Sequence, residues 1–194
     1  MLKVHNRHSW HNWEEILAVQ QKFVYNLAYQ LCGNSIEASD LAQETFVKAF
    51  PNLAGLKQNA SLRTWLSRIT VNAYLMKHKG KENHALMTPE ITPTPECPTN
   101  PAKVIMRREL QWCINNTLQQ HLPRDYRIVL VLRDLNQLSY CAIAGILAES
   151  EDTVKSRLYK ARLSYRDHLL KSGCAGLVTD YRCYCERVRE QRRK

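Results

Sequence analysis

The chain has 194 residues, 44% of them hydrophobic, and a net charge of +10 from 28 basic and 18 acidic side chains. That length fits one large domain or two small ones with a buried core, and the ordinary apolar content excludes a wholly disordered chain. The positive excess points to an anionic partner, nucleic acid or a membrane surface, without choosing between them. The longest unbroken aliphatic run, Ile128 to Leu132, is far short of the roughly 20 residues of a bilayer span. The opening stretch MLKVHNRHSWHNWEE holds no apolar signal core, so the expected compartment is the cytosol, with no membrane insertion. The seven cysteines, an odd and scattered set, are expected to be reduced there.

Three helices are predicted before a proline-rich break. In NWEEILAVQQKFVYNLAYQLC, apolar residues recur at 13, 16, 17, 23, 24, 27, 28 and 31, the period of a helix. After a turn, IEASDLAQETFVKAF repeats the pattern through Ile36, Leu41, Thr45, Phe46 and Ala49 and stops at Pro51, with Asn34 or Ser35 as its cap. The loop NLAGLKQNA follows, and Ser61 caps a third helix reaching about residue 81. On that helix Leu62, Trp65, Leu66, Ile69, Ala73 and Met76 share an arc of about 100° and should be buried. Opposite them lie Thr64, Ser67, Arg68, Val71, Tyr74, Leu75 and His78, with Asn72 on the flank. Val71 and Leu75 are out of place on a wet face. They are either scattered surface apolar residues or part of a surface that meets bases or a protein.

The break is TPEITPTPECPTNP, residues 88–101, which holds five of the seven prolines. Proline removes donors and disfavours helix before it, so an extended linker is expected, at about 3.1 Å per residue. From 83 to 101 it carries Glu90 and Glu96 and no Lys or Arg, whereas residues 1–82, 102–170 and 171–194 each carry +4. Two basic modules are thus joined by an acidic strap.

Four helices are predicted after it. The first, about 102–120, is amphipathic through Met106, Leu110, Cys113, Ile114, Thr117 and Leu118. Pro123 opens the next, which is central because it is nearly all apolar from Ile128 to Leu132. Ser139 caps SYCAIAGIL, a short turn AES follows, and a longer helix begins at Ser150. Helix, short turn and longer helix make a helix-turn-helix pattern. With no alternating strand pattern of note, the fold should be all-α, as two small helical domains. On the last helix Val154, Leu158, Ala161 and Tyr165 form a narrow apolar stripe. Opposite stand Thr153, Ser156, Arg157, Lys160 and Ser164, with Lys155 and Arg162 to one side. A capped first turn, hydroxyls and arginine suit phosphates and base edges in a major groove; the plainer reading is a solvated face.

The run LPRDYRIVLVLRDLNQLSYCAIAGILAESEDTVKSRLYKARLSYRDHL closely resembles region 4 of bacterial RNA polymerase sigma factors of the extracytoplasmic-function class, with TVKSRLYKAR its most specific part. LAYQLCGNSIEASDLAQETFVKAF and SLRTWLSRITVNAYL resemble region 2, through DLAQETF (Asp40 to Phe46) and Leu62 to Asn72. The resemblance covers about residues 10–170. It implies region 2 at 10–82, a linker at 83–101 that runs through the polymerase RNA channel, and region 4 at 102–170, followed by a basic, cysteine-containing tail at 171–194. Asp40, Gln43 and Glu44 would bind the β′ clamp, and region 4 the β flap. The loop 52–60 would capture an unstacked base of the −10 element. Arg63, Arg68 and Asn72 would read and open that element, with Val71 and Leu75 against base faces. Thr153, Lys155, Ser156, Arg157, Lys160 and Arg162 would contact the −35 element. An anti-sigma factor is a further implied partner, wedged between the modules.

The chain departs from that pattern at Cys141 and Ala142, where the class usually has one or two glutamates, and at the turn, where Ala148 replaces the usual glycine and Gly145 sits inside the helix. A lost turn glycine and a mid-helix glycine each cost up to about 1 kcal/mol. In the tail, His168, Cys174, Cys183 and Cys185 could hold zinc or copper, although C-x₈-C-x-C is not a zinc-ribbon spacing. Some members of the class carry cysteine-rich tails that sense metal, with more cysteines than here. The plainer reading is a basic extension that adds affinity for DNA or polymerase. Cys113 and Cys141 read as small core residues; Cys32 and Cys97 carry no pattern.

The expected function is therefore an alternative sigma factor that needs no cofactor and does no covalent chemistry. A stand-alone helix-turn-helix regulator is the alternative, against which DLAQETF argues. A nucleic-acid enzyme would need carboxylates converging on a metal, and only Asp40 and Glu44 lie one turn apart, with no glycine-rich phosphate loop.

Overall fold

The computed structural model describes residues 13–55, 61–79 and 112–171, and every element among them is helical. The linker and the tail beyond Lys171 lie outside the described residues. No helix among the described residues is long and apolar enough to cross a membrane.

The first module holds α1 (Trp13–Cys32), α2 (Ser35–Ala49), a 3-10 turn (Phe50–Gly55) and α3 (Leu62–Lys77). Gly33, at φ +81°, makes the corner between α1 and α2, and its N–H donates to the Tyr29 carbonyl at 2.8 Å. Asn34 caps α2: its Oδ1 accepts from the Glu37 N–H at 2.7 Å and its Nδ2 donates to Glu37 Oε2 at 3.0 Å. The first bond satisfies one amide that the helix start would leave open, and the second ties the two side chains together. Pro51 does not break the chain sharply; the 3-10 turn absorbs it. Between α2 and α3, two fully buried threonines meet: Thr45 Oγ1 donates to the Leu41 carbonyl at 2.8 Å and lies 3.3 Å from Thr70 Oγ1. Bonding back to their own helices lets both hydroxyls enter the core without an orphaned donor. The third helix ends at Lys77, short of the expected residue 81.

In the second module the described residues open with α4 (112–120); the part of the expected helix from 102 to 111 lies outside them. The module continues with α5 (Arg124–Leu130), which passes into a π-turn (Val131–Leu135), then α6 (Tyr140–Leu147) and α7 (Glu151–Lys171). Pro123 opens α5, and Ser139 Oγ caps α6 by accepting from the Ala142 N–H at 3.1 Å. The π-turn closes where the Asn136 N–H and side-chain amide both reach the Val131 carbonyl, at 3.0 and 2.8 Å. Ile128 through Leu132 is entirely buried, as its composition predicts. The corner before α7 is Ala148 at φ +56°, the left-handed position where glycine is usual.

The two modules share one core. Leu27, Leu31, Val71 and Tyr74 belong to the same buried cluster as Leu118, Ile128, Val131 and Ile143. α3 packs on α6, and α1 on the π-turn. The expected face of α3 therefore needs correction. Val71 is fully buried and Leu75 is half-buried against the core, while Met76, assigned to the inner stripe, is 73% exposed. Val71 is enclosed in the core that the second module shares with the first.

Arg127 holds this junction. It is 4% exposed, and its guanidinium donates to the carbonyls of Leu118 (3.0 Å), Gln119 (2.8 Å), Leu122 (3.3 Å) and Leu31 (3.3 Å) and lies 3.5 Å from the Tyr74 hydroxyl. These carbonyls lie at or just beyond the C-terminal ends of α4 and α1, where backbone acceptors have no helical partner and carry partial negative charge. Burial pushes the Arg127 pKa down, and Tyr74 beside it pushes it back up. Around it, Gln119 Nε2 donates to the Gln30 carbonyl at 2.8 Å, Arg124 Nη1 to the His78 carbonyl at 2.8 Å, and Asn136 Nδ2 to Gln30 Oε1 at 2.9 Å. Two glycines permit the approach. A Cβ on Gly33 would stand 2.7 Å from Gln119 Cγ, and one on Gly145 would stand 3.2 Å from Arg68 Nη2.

Arg127→Met keeps the aliphatic stem and strips the donors. It is expected to lower stability by about 3 kcal/mol or more, because several buried carbonyls lose their only charged donor. A urea denaturation loss below about 1 kcal/mol would shift the weight to apolar packing. Ala148→Gly relieves a left-handed alanine and is expected to add about 1 kcal/mol in the same assay; no gain would show the corner unstrained.

Candidate nucleic-acid interface

The helix-turn-helix is built as its caps require. Ser150 Oγ accepts from the Thr153 N–H at 3.2 Å and pairs with Thr153 Oγ1 at 2.8 Å, fixing the first turn of α7. Val154, Leu158, Ala161, Tyr165 and Leu169 turn inward. Thr153, Ser156 and Lys160 are exposed on the opposite face, and Arg157 is partly covered. Arg157 Nη2 bonds Glu149 Oε1 at 2.7 Å, so the turn holds that guanidinium beside the exposed face. Lys155 sits 3.1 Å from Asp152 Oδ1 and 4.0 Å from Glu151 Oε2, and its ammonium lies 6.0 Å from the Tyr140 ring. Arg162 grips Asp134 at both carboxylate oxygens, its Nε at 2.9 Å from Oδ2. Arg162 thus ties α7 to the π-turn, whereas Thr153, Ser156 and Lys160 are free of such ties to the rest of the module.

On α2, Ile36, Asp40, Gln43, Val47 and Phe50 fall within an arc of about 80° at helical spacing. All five are exposed, with Ile36 at 78% and Val47 at 66%. Glu44 flanks this stripe, paired to Lys48 at 2.6 Å, and Lys77 reaches Asp40 at 4.0 Å. The two acids expected to meet polymerase therefore stand beside exposed apolar side chains that sequence reasoning did not pick out. Ile36, counted in the apolar pattern of this helix, is a correction, since it stands 78% exposed; Val47 lies off that pattern and is the signal the sequence carries.

The expected −10 residues divide. Arg63 and Asn72 are exposed, and Arg63 lies 5.2 Å over the Phe23 ring. Arg68 is exposed with its end against Gly145, Leu75 is half-buried and Val71 is buried in the shared core. Most of the 52–60 loop lies outside the described residues.

His168 stacks on His121 with ring centroids 5.1 Å apart; Cys174, Cys183 and Cys185 lie outside the described residues. Cys141 is exposed, not a core residue. Cys113 is buried as expected but disulfide-bonded, not reduced, and its partner falls outside the described residues. Cys32, at the end of α1, is buried. Burial and the nearby Glu37 carboxylate push its thiol up to about 12, against the pull of Lys77 and Arg127.

Comparison with known proteins places this geometry. Residues 18–83 match the family described as Sigma-70 region 2, and residues 117–164 match Sigma-70, region 4. The ECF RNA polymerase sigma factor SigE of Mycolicibacterium smegmatis is 32% identical over 162 residues, spanning 82% of this chain and 62% of that protein. The ECF RNA polymerase sigma factor SigW of Bacillus subtilis is 30% identical over 167 residues, spanning 80% of this chain and 87% of that one. The sigma factor RpoE of Bartonella quintana, solved in complex with the anti-sigma factor NepR, shares the fold. Its TM-score is 0.63 at 20% identity, covering 84% of this chain and 99% of that one. CnrH, solved with the cytosolic domain of CnrY, superposes with a TM-score of 0.60 at 20% identity, covering 86% of this chain and 92% of that one. With both regions matched in order on two helical modules, the chain belongs to the extracytoplasmic-function family of RNA polymerase sigma factors.

Proposed function

We propose that the chain works in the cytosol as an alternative sigma factor that binds core RNA polymerase, recognises −10 and −35 promoter elements and starts transcription, and that an anti-sigma factor holds it silent. The observation that carries this reading is the pair of separate exposed faces. One is an acidic and apolar stripe on α2, suited to a protein partner; the other is a hydroxyl-and-lysine face on α7, suited to DNA. A stand-alone regulator has use for the second and none for the first. Asp40, Gln43 and Glu44 serve polymerase docking, helped by Ile36 and Val47. Thr153, Ser156, Arg157 and Lys160 serve the −35 element. Arg63, Arg68 and Asn72, with Val71 and Leu75, serve the −10 element.

The last set imposes a condition. Val71 belongs to the core that the two modules share, whereas Arg63, Arg68 and Asn72 are exposed, so Val71 reaches DNA only if that core opens. Polymerase, by holding each module at its own site, supplies the differential affinity that such an opening requires. A metal- or redox-sensing role for His168, Cys174, Cys183 and Cys185 is a separate proposal: zinc or copper titration of the unaltered chain is expected to show about one tightly held ion that a Cys183→Ser/Cys185→Ser variant loses, and no binding at micromolar metal would end it.

Run-off transcription with purified bacterial core polymerase, on the DNA upstream of the chain's own gene, is expected to give a discrete transcript only when the chain is added. No transcript, together with no co-elution with core, would overturn the reading. Arg157→Ala is expected to weaken binding to −35 DNA by about 1–3 kcal/mol if it reads a base, and equal loss on scrambled DNA would make it a phosphate contact. Fluorophores placed at Lys22 and Tyr159, both exposed, are expected to lose energy transfer when core polymerase binds. Unchanged transfer would mean that the closed arrangement persists on the polymerase.

A further inference from the structure

The corner where α1, α2 and α3 meet gathers three groups that the sigma-factor reading does not use. Cys32 ends α1, Glu37 lies in the first turn of α2, and His78 follows α3. One ligand atom from each lies within 4.8 Å of the others. His78 Nε2 is 3.0 Å from Glu37 Oε1; the histidine side chain is 5% exposed and the glutamate 20%. Cys32 is 3% exposed.

We propose that Cys32, Glu37 and His78 bind a borderline-soft divalent cation of the zinc type. A thiolate, an imidazole and a carboxylate are the zinc donor set, and ligand atoms of a tetrahedral zinc site stand about 3–4 Å apart. The 3.0 Å between His78 Nε2 and Glu37 Oε1 lies at the short end of that range, and the thiol lies within 4.8 Å of both. Thiolate and carboxylate together supply two negative charges against a dication, and the nearby Lys77 and Arg127 favour the thiolate that the ion requires. On binding, the Cys32 S–H bond gives way to a sulfur–metal bond and the proton leaves to solvent. The three-ligand set leaves a fourth position for water on the side where Glu37 is partly exposed.

Two features hold the donors in place. Asn34 Nδ2 bonds Glu37 Oε2 at 3.0 Å, leaving Oε1 turned toward His78. The Tyr74 ring lies 4.5 Å from the His78 ring. The site also adjoins the module junction, since Arg124 Nη1 bonds the His78 carbonyl at 2.8 Å and Arg127 bonds the carbonyl of Leu31, next to Cys32. A bound ion would pin the three helix ends of region 2 on which region 4 rests. This is a site within the fold, separate from the tail cysteines.

The test uses the full chain with Cys97, Cys113, Cys174, Cys183 and Cys185 changed to Ser, so that neither the tail nor the Cys113 disulfide offers a thiol, prepared free of metal and titrated with Co2+ and then Zn2+. The expected result is about one Co2+ per chain with thiolate-to-metal charge-transfer absorption, displaced by Zn2+. Cys32→Ala in that background is expected to abolish the band, and Glu37→Gln to weaken binding by about 100-fold or more, beyond the usual effect of losing an outer-shell partner. Circular dichroism monitors folding; if Cys32→Ala does not fold, His78→Gln replaces it with the same expectation. No charge-transfer band, or a band that survives these substitutions, overturns the proposal and leaves a buried His–Glu pair beside a thiol. Since the readout is spectroscopic, its failure leaves the transcription reading untouched.

Discussion

A buried guanidinium held by backbone carbonyls organises this molecule. Arg127 sits in the core and is satisfied by main-chain oxygens near the C-terminal ends of α4 and α1. Helix ends are costly to bury because their carbonyls lack partners, and a buried cation is costly because it lacks water. Placing one against the other offsets both. The geometry asks for Arg: a lysine ammonium has three donors and no planar fork to serve carbonyls on two helices at once. The remaining bridges from Gln119, Arg124 and Asn136 gather around the same point.

The helices, most of their caps and the helix-turn-helix were legible because each rests on local chemistry. A helical period, Asn34, Pro123, Ser139 and Ser150 each act within a turn or two of the chain. What was not legible depends on distant partners. Val71 reads as wet because nothing in the sequence of α3 shows that it joins a core shared with the second module. Arg127 reads as the polar edge of an apolar run, although its spacing to Val131 places it on an inward face. The π-turn hides in Ile128–Leu132, since an all-apolar run has no period to break. Cys32, Glu37 and His78 come from three different helices with no motif spacing. Of the candidate site residues, those on the outer face of α7 were the easiest to find, because one helix presents them together.

Charge is shared out along the same lines. Arg162 and Arg157 both stand in ion pairs with acids of their own module, but with different results. Arg162 closes a partly buried contact with Asp134, which ties it to the fold. Arg157 is tethered to Glu149 in the turn, which preorganises its guanidinium at the rim of the DNA face at a modest cost in availability. The net positive charge is thus divided between residues that set the shape of region 4 and residues that shape leaves exposed.

The shared core gives closure a thermal character. Parting the modules would wet Val71, Tyr74, Leu27 and Leu31 along with their partners in region 4, and exposing apolar surface raises heat capacity. Water can replace the amide and carbonyl contacts, so the apolar part sets the temperature dependence. Hydrophobic attraction weakens on cooling, so the grip of one module on the other slackens toward low temperature.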